Sequence, residues 1–219
     1  MPIIDLATRK WLSPTLVMLT VYGGAAAGFL IAYGWDRPVS AGLPWLLVPA
    51  LWTAHYLRRI VEALVVHRST RPNSLAELIA AAAYYTGFGI WIGQEADATG
   101  IGVAHLLVGV VVFLIGEAGN AWHHLQLRRL GEGHDGHVVP EGGAFSLVSC
   151  PHYLFELVTW TGFLILQPNE ATGTFLLVGF VIMLIRALAR HRAYRREFDG
   201  QDARPLYPPD RKALIPFVV

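Results

Sequence analysis

The stretch IGVAHLLVGVVVFLIGEAGNAWHHLQ, residues 101–126, contains the pattern that decides the fold. Its first sixteen residues are apolar apart from His105, whereas Glu117, Asn120 and a histidine pair follow within the last ten. A helix that crosses a bilayer needs about 20 mainly apolar residues. Residues 101–126 therefore predict a membrane-spanning helix with its polar side chains concentrated at one end.

The composition of the whole chain supports a membrane protein. Of 219 residues, 54% are hydrophobic and only 15% are charged, and the mean hydropathy is +0.44. Soluble domains carry roughly 25% charged residues, and one soluble core could not bury so much apolar side chain. These values exclude an ordinary cytosolic enzyme, a disordered chain and a nucleic-acid-binding protein. The single cysteine, Cys150, excludes a disulfide framework and a cysteine-based zinc site.

Five further apolar stretches complete the predicted fold, an all-α integral membrane bundle of about six transmembrane helices. One of them contains four consecutive alanines at 80–83, and small residues allow close helix packing in lipid. We expect one transmembrane domain, 1–219, with spans at 16–35, 43–66, 75–93, 101–126, 144–166 and 173–191 and a tail at 192–219.

The distribution of charge predicts the orientation of this bundle. With six spans, one side of the membrane holds every Lys and Arg of the chain except Arg37. Because positively charged loops remain in the cytoplasm, both termini and the tail are predicted to be cytoplasmic.

Polar residues of four predicted spans occur at the same membrane depth, in the cytoplasmic half. Such residues are costly in lipid and usually face a protein interior or an aqueous cavity. Two alternatives stay open: the arginines could snorkel to the interface, and Glu117, Asn120 and Glu156 could form interhelical hydrogen bonds. The combined pattern favours a cytoplasm-facing polar pocket that continues into an apolar chamber, which suits a charged soluble co-substrate and an apolar substrate.

The sequence contains no strong metal-binding or nucleotide-binding motif. The nine histidines match the His-x-x-x-His and His-x-x-His-His clusters of membrane di-iron enzymes poorly, so no metal site is predicted. The chain has neither a Gly-x-Gly-x-x-Gly after a strand nor a phosphate-binding Gly-Lys-Ser loop. Any nucleotide must be held by side chains on helices.

Several motifs in the second half of the chain resemble the steroid 5-alpha-reductase/trans-2-enoyl-CoA reductase family. They are Gly119-Asn120, PEGG at 140–143, SCPHYLFE at 149–156, WTGF at 160–163, HRAY at 191–194 and RKALIPF at 211–217. The resemblance extends from about His55 to the end. HYLRR at 55–59, Glu62 and YYTGF at 84–88 are most similar to very-long-chain enoyl-CoA reductases, and the first span lacks the Gln-Glu pair of steroid reductases.

This resemblance implies an integral-membrane, NADPH-dependent reductase of a C=C bond conjugated to a carbonyl in a lipid substrate, with a trans-2-enoyl thioester as the leading substrate. A 3-oxo-Δ4-steroid 5α-reductase is the alternative. An isoprenylcysteine-type membrane methyltransferase is more distant, because residues 150–153 only partly match its Arg-His-Pro-x-Tyr segment.

The resemblance and the chemistry of enone reduction also name site residues. Tyr56 and Tyr153 are predicted to polarise the carbonyl, with Glu62 as a partner of one of them. The predicted NADPH-binding set consists of Asn120, His124, Arg128, His152, Glu156, Arg186, His191 and Tyr194. A thioester of coenzyme A would need a second basic surface, for which Arg68, Arg71, Arg195 and Arg196 are available.

The compact length suggests a location as well. Without the amino-terminal extensions of its eukaryotic counterparts, the chain is expected to reside in a bacterial inner membrane, with its active site facing the cytoplasm.

Overall fold

The structure is a computed structural model that describes residues 8–34, 43–66, 72–97, 101–130, 138–201 and 204–219. Six α-helices account for most of these residues, and the predicted all-α bundle is confirmed. They are α1 (Pro14–Gly34), α2 (Leu43–Val65), α3 (Leu75–Glu95), α4 (Val103–Leu130), α5 (Pro151–Leu166) and α6 (Glu170–Glu197). A 3-10 helix, Gly143–Ser146, precedes α5, and the short strands β1 (Lys10–Leu12) and β2 (Asn73–Ser74) pair antiparallel.

Four of the helices, α1, α3, α4 and α6, are long and apolar enough to cross a membrane. Their surfaces expose large apolar side chains such as Leu107 and Val111 on α4 and Leu177 and Ile185 on α6. So much exposed apolar area identifies a membrane protein. The other two helices differ from the prediction, because α2 carries the charges of Arg58, Arg59 and Glu62 and α5 has only 16 residues. The orientation of the termini stays a prediction.

The start of α5 differs from the predicted span at 144–166. The helix begins at Pro151, after the 3-10 helix and a short non-helical stretch. Proline suits the first position of a helix because its nitrogen has no proton to leave unpaired. The preceding amides of Ser149 and Cys150 instead donate to the carbonyls of Lys212 and Ala213, at 2.8 and 3.2 Å.

The bounds of α6 also differ from the predicted 173–191. The Asn169 side-chain oxygen accepts the Thr172 amide proton at 2.9 Å, which caps the helix so that it begins at Glu170. It then continues to Glu197, so the first residues of the predicted tail are helical. The predicted first span ends at Trp35, which lies outside the described residues.

The chain divides into two compact units. The first contains Met1–Leu106 and Leu166–Thr172, and the second contains Leu107–Ile165 and Gly173–Val219. In the first unit α1 packs against α2 and α3. The alanines predicted to mediate packing include Ala80 and Ala83, which are exposed. Ala81 of the same run, however, packs against the cluster that contains Val17 and Val21 of α1. Glycines also allow close contact, because a Cβ on Gly89 would lie 2.6 Å from the Ala25 carbonyl oxygen.

Aromatic side chains fill the first unit. Phe29 of α1 stacks on Trp52 of α2 with 4.9 Å between ring centroids, and Trp52 lies 5.0 Å from Tyr56. The Trp52 indole N–H donates to the Ala25 carbonyl at 3.1 Å. These contacts bury Tyr56 completely.

Three amide and carboxylate side chains join the end of α3 to residues 167–172, and we call Glu95, Gln167 and Asn169 the clasp. Gln167 accepts the Asp97 amide proton at 2.8 Å and donates to the Asp97 carbonyl at 3.0 Å. Glu95 accepts from the Trp91 indole at 2.6 Å and from the Ala171 amide at 3.0 Å. Asn169 caps α6 and donates to the Glu95 carbonyl at 3.4 Å. Both polar atoms of each clasp side chain are therefore used.

In the second unit, glycines bring α4 and α5 into close contact. Any Cβ on Gly116 would collide with Thr159, and one on Gly119 would collide with the Phe155 ring. The carboxyl-terminal segment packs beside them, where buried Leu214 contributes to an apolar cluster with Cys150. The polar residues of α4 and α5 are thus held on closely packed backbones.

Candidate functional site

The second unit brings five of the predicted site residues into one connected group. The Asn120 side-chain amide on α4 donates to the His152 carbonyl on α5 at 2.8 Å. The His152 ring lies 5.1 Å from the His124 ring and 4.2 Å from the Tyr153 ring, centroid to centroid. The positive charge of Arg186 on α6 acts electrostatically on the Tyr153 hydroxyl. We call these five residues the histidine–tyrosine cluster.

Helix periodicity explains how α4 contributes to this cluster. Asn120, His124 and Arg128 follow one another at intervals of four residues, which places them on one face of the helix. Arg128 lies in the last turn of α4. The three predicted residues on α4 therefore form one polar stripe.

One atom of Asn120 distinguishes this cluster from ordinary packing. Asn120 is 1% exposed, and its side-chain oxygen is buried without a hydrogen-bond donor among the residues that the structure describes. Burying such an acceptor without a partner costs about 1–3 kcal/mol. The site accordingly fits a ligand that presents an N–H or O–H group to this oxygen.

The Glu156 side chain forms a hydrogen bond within its own helix, α5. Its carboxylate accepts the Trp160 indole proton at 3.0 Å. The predicted residue thus has a partner one turn further along its own helix.

His191 and Tyr194 of the predicted set belong to a second group on α6 and the carboxyl-terminal segment. The Ser149 hydroxyl lies 2.7 Å from His191 Nδ1 and 2.7 Å from the Tyr207 hydroxyl. The Tyr194 ring stacks on Tyr207 with a centroid distance of 5.6 Å. We call Ser149, His191 and Tyr207 the serine hub.

Sequence reasoning missed the contributions of Ser149, Tyr207 and Arg211 to this second group. Arg211 is 5% exposed, and its guanidinium donates to the Pro140 carbonyl at 3.0 Å and stands 4.7 Å from the Tyr207 ring centroid. Ser149 and Arg211 are the first residues of two motifs quoted above, and their position in those motifs could have identified them as site residues. Tyr207 lies between prolines of a tail in which no spacing rule applies.

The histidine pair at 123–124 divides into a structural and a candidate functional residue. His123 is 2% exposed; its Nδ1 donates to the Gly119 carbonyl at 2.6 Å and its Nε2 accepts the Ala144 amide proton at 3.3 Å. Both ring nitrogens are occupied by backbone groups. His124, by contrast, faces His152.

The remaining predicted catalytic residues, Tyr56 and Glu62, belong to the first unit. Tyr56 is surrounded by Trp52, His55 and further aromatic rings. Glu62 is 5% exposed and forms ion pairs with both Arg58 and Arg59, the latter at 2.6 Å.

Within the described ranges, no three His, Cys, Asp or Glu side chains are grouped to hold a metal ion. His134 and His137 lie outside those ranges.

The fold and the site define a helical membrane protein whose polar side chains from α4, α5 and α6 meet in one place. Residues 71–219 match the family model of 3-oxo-5-alpha-steroid 4-dehydrogenase, and the chain belongs to this family. The resemblance inferred from the motifs is confirmed.

Relatives of both branches are similar to this chain. The very-long-chain enoyl-CoA reductase of Dictyostelium discoideum is 34% identical, over 86% of this chain and 62% of the relative. The 3-oxo-5-alpha-steroid 4-dehydrogenase 1 of Rattus norvegicus is 31% identical, over 85% of this chain and 74% of the relative. The steroid 5-alpha-reductase of Arabidopsis thaliana is 29% identical, over 97% of this chain and 95% of the relative.

The chain thus spans less than two thirds of the Dictyostelium protein. By their names, these relatives are oxidoreductases. All three are eukaryotic, so the comparisons do not support the predicted bacterial inner membrane.

Proposed function

We propose that this protein is an integral-membrane, NADPH-dependent reductase of a C=C bond conjugated to a carbonyl, with a trans-2-enoyl thioester as its substrate. The observation that carries the proposal is the connected cluster of Asn120, His152, Tyr153 and Arg186, with a buried acceptor on Asn120 that has no donor in the described residues. Family membership supplies the reaction class.

The residues fit a nicotinamide dinucleotide. The free oxygen of Asn120 suits the carboxamide N–H or a ribose hydroxyl of such a cofactor. Arg128 and Arg186 carry planar guanidinium groups, which suit phosphate oxygens. His124, His152, Glu156, His191 and Tyr194 complete the proposed binding set, and NADPH would supply the hydride when bound.

Tyr153 is proposed to donate a hydrogen bond to the substrate carbonyl as negative charge develops on its oxygen. The positive charge of Arg186 acts on the Tyr153 hydroxyl and is proposed to stabilise the negative charge that develops beside it. The aromatic ring meanwhile provides an apolar surface for a lipid substrate.

Tyr56 is proposed as the second hydroxyl donor of the reaction. Glu62, which Arg58 and Arg59 hold in place, is proposed to orient it. This assignment is independent of that of Tyr153, because the two tyrosines lie in different compact units.

An enoyl thioester requires a cationic surface for the phosphates of coenzyme A. Arg195 and Arg196 in the last turn of α6 are exposed, and neither forms an ion pair with any described carboxylate. Arg68 and Arg71 were predicted to contribute and lie outside the described residues. We further propose that 1–219 is one transmembrane reductase domain with cytoplasmic termini and its site facing the cytoplasm.

The alternative function is a 3-oxo-Δ4-steroid 5α-reductase. The rat relative, which covers nearly the same share of this chain as the Dictyostelium enzyme, favours it. The absence of a Gln-Glu pair from the first span favours the thioester.

The decisive experiment is a titration of the purified protein in detergent. We expect NADPH to raise its melting temperature and S-adenosylmethionine to leave it unchanged. Adding trans-2-enoyl-CoA thioesters of increasing chain length should then oxidise NADPH, which absorbance measures, whereas a Δ4-3-keto steroid should not. Oxidation by the steroid alone would replace the thioester with the alternative, and stabilisation by S-adenosylmethionine alone would overturn the reductase.

A further inference from the structure

The serine hub joins three separate segments at one hydroxyl group. Ser149 is 2% exposed and lies two residues before α5. Its oxygen is 2.7 Å from Nδ1 of His191 on α6, 2.7 Å from the Tyr207 hydroxyl and 3.1 Å from the Lys212 carbonyl oxygen. All three distances are within the range of hydrogen bonds.

The chemistry of these partners indicates one arrangement of protons that uses all three contacts. A serine hydroxyl has one proton to donate and two lone pairs that accept. The Lys212 carbonyl accepts the Ser149 amide proton at 2.8 Å and has a second lone pair, and because it can only accept, the 3.1 Å contact assigns the hydroxyl proton of Ser149 to it. In that arrangement the two lone pairs of Ser149 accept from the Tyr207 hydroxyl and from a proton on His191 Nδ1. This arrangement satisfies all three contacts.

We propose that Ser149 is a positioning residue that holds His191 in the form protonated at Nδ1, so that Nε2 is an acceptor that faces the cofactor. No described residue forms a hydrogen bond with Nε2. A bare ring nitrogen binds an O–H or N–H donor and repels a phosphate oxygen. His191 therefore contacts a ribose hydroxyl or the carboxamide of NADPH, and the phosphates are left to the arginines.

His123 shows why the open nitrogen matters. It has the same tautomer, with Nδ1 donating to the Gly119 carbonyl and Nε2 accepting from the Ala144 amide. Because both of its nitrogens are used within the protein, His123 has none left for a ligand. His191 keeps one.

The ligand in this inference rests on the proposed function, but the tautomer does not. Histidine nitrogens report their protonation directly in NMR spectra of protein labelled with ¹⁵N-histidine in detergent micelles. The His191 signals are identified by their loss in His191→Gln. We expect the wild-type ring to be neutral and protonated at Nδ1. A ring protonated at Nε2, or at both nitrogens, would overturn the proposal without any further variant.

Substitutions in the serine hub test whether the Ser149 hydroxyl determines the tautomer of His191. Ser149→Ala should abolish the Nδ1-protonated pattern, and Ser149→Thr, which keeps the hydroxyl, should retain it. Tyr207→Phe removes only one donor to Ser149, so His191 should keep its tautomer even if Ser149→Ala fails to fold. A changed tautomer in Tyr207→Phe, or an unchanged one in folded Ser149→Ala, would contradict the assignment.

Binding of NADPH, measured by fluorescence, tests the consequence. Ser149→Ala should raise the Kd about tenfold, as expected for one lost hydrogen bond. The matched control is Ser146→Ala, because Ser146 is an exposed serine that bonds only locally to the Gly143 carbonyl; its Kd should equal that of the wild type. An unchanged Kd in Ser149→Ala would overturn the link between tautomer and cofactor. If the wild type binds no NADPH, the proposed function fails, while the NMR spectra still decide the tautomer.

Discussion

The clasp in the first unit and the histidine–tyrosine cluster in the second are both built from buried polar side chains, yet they differ in how completely those side chains are used. In the clasp, Gln167 is 1% exposed and bonds through both its oxygen and its nitrogen to the backbone of Asp97. In the cluster, Asn120 is equally buried but uses only its nitrogen within the described part of the chain.

This difference separates a structural polar group from a ligand-binding one. A saturated network stabilises the fold and offers a ligand nothing, whereas an unsatisfied buried acceptor costs stability until a ligand supplies a donor. The clasp is therefore interpreted as a fastening between the end of α3 and the start of α6, and the cluster as a site. Burial and polarity alone would not have distinguished them.

The largest effect is expected from Tyr153→Phe, which removes only the hydroxyl proposed to polarise the substrate carbonyl. Turnover should fall on the order of 10²–10³-fold, as when one oxyanion donor is lost. The Kd for NADPH should remain within a few-fold of the wild type. Steady-state oxidation of NADPH and a separate binding titration measure the two quantities.

Tyr33→Phe is the matched control for that substitution. The Tyr33 hydroxyl donates to the Trp45 carbonyl at 2.7 Å in the first unit and has no proposed chemical role. The Tyr33→Phe substitution should lower the free energy of unfolding by about 1 kcal/mol and leave turnover unchanged. Undiminished turnover in Tyr153→Phe would remove Tyr153 from the mechanism.

Asn120→Leu is expected to have the next largest effect, and on binding. Without the Asn120 oxygen, the donor of the cofactor loses its partner, so the Kd for NADPH should rise on the order of 10- to 100-fold. The melting temperature of the unliganded protein should change little, because removing the buried unsatisfied acceptor offsets the lost hydrogen bond to the His152 carbonyl. A lower melting temperature with an unchanged Kd would assign Asn120 to structure.

Gln167→Leu should produce the opposite pattern. The substitution deletes both hydrogen bonds to the Asp97 backbone, so we expect about 1–2 kcal/mol of lost stability in a detergent or denaturant titration. The Kd for NADPH should not change. If cofactor affinity fell together with stability, the distinction between the clasp and the cluster would be lost.

The smallest effect is expected from Asn169→Leu, which applies to the clasp the substitution made at Asn120. Losing the cap of α6 should cost about 1 kcal/mol. Thermal unfolding measures this cost, and NADPH binding should again be unaffected. The two asparagine variants thus share one chemical change and differ in which property responds.

Much of the fold was predictable because hydropathy reports lipid contact directly. The ends of the helices were harder to predict from the sequence, because they depend on contacts with residues far away in the chain. Pro151 starts α5 only because the amides before it are bound by Lys212 and Ala213, more than sixty residues away. The α1–α3 contact uses Gly89 as well as Ala81 of the alanine run, and a composition-based rule could not single out the glycine.

The site was predicted only in part, because the sequence reveals neighbours on one helix face but not contacts between distant segments. Residues on one helix face, such as Asn120 and His124, follow from periodicity. The family motif placed His152 and Tyr153 beside them. Tyr207 could not be found in this way, because its contact with Ser149 joins residues 58 positions apart through an irregular tail. The resemblance named His124 rather than His123, and the Gly119 and Ala144 contacts give the physical reason why both nitrogens of His123 are occupied.

Hydrogen–deuterium exchange of the wild-type protein with and without saturating NADPH tests the central distinction most directly. We predict slower exchange in the second half of α4 and at the start of α5, around Asn120 and His152, and no change at 95–97 or 167–172. Protection confined to 95–97 and 167–172, with none around Asn120 and His152, would show that the clasp is the binding site and that the interpretation of the cluster is wrong.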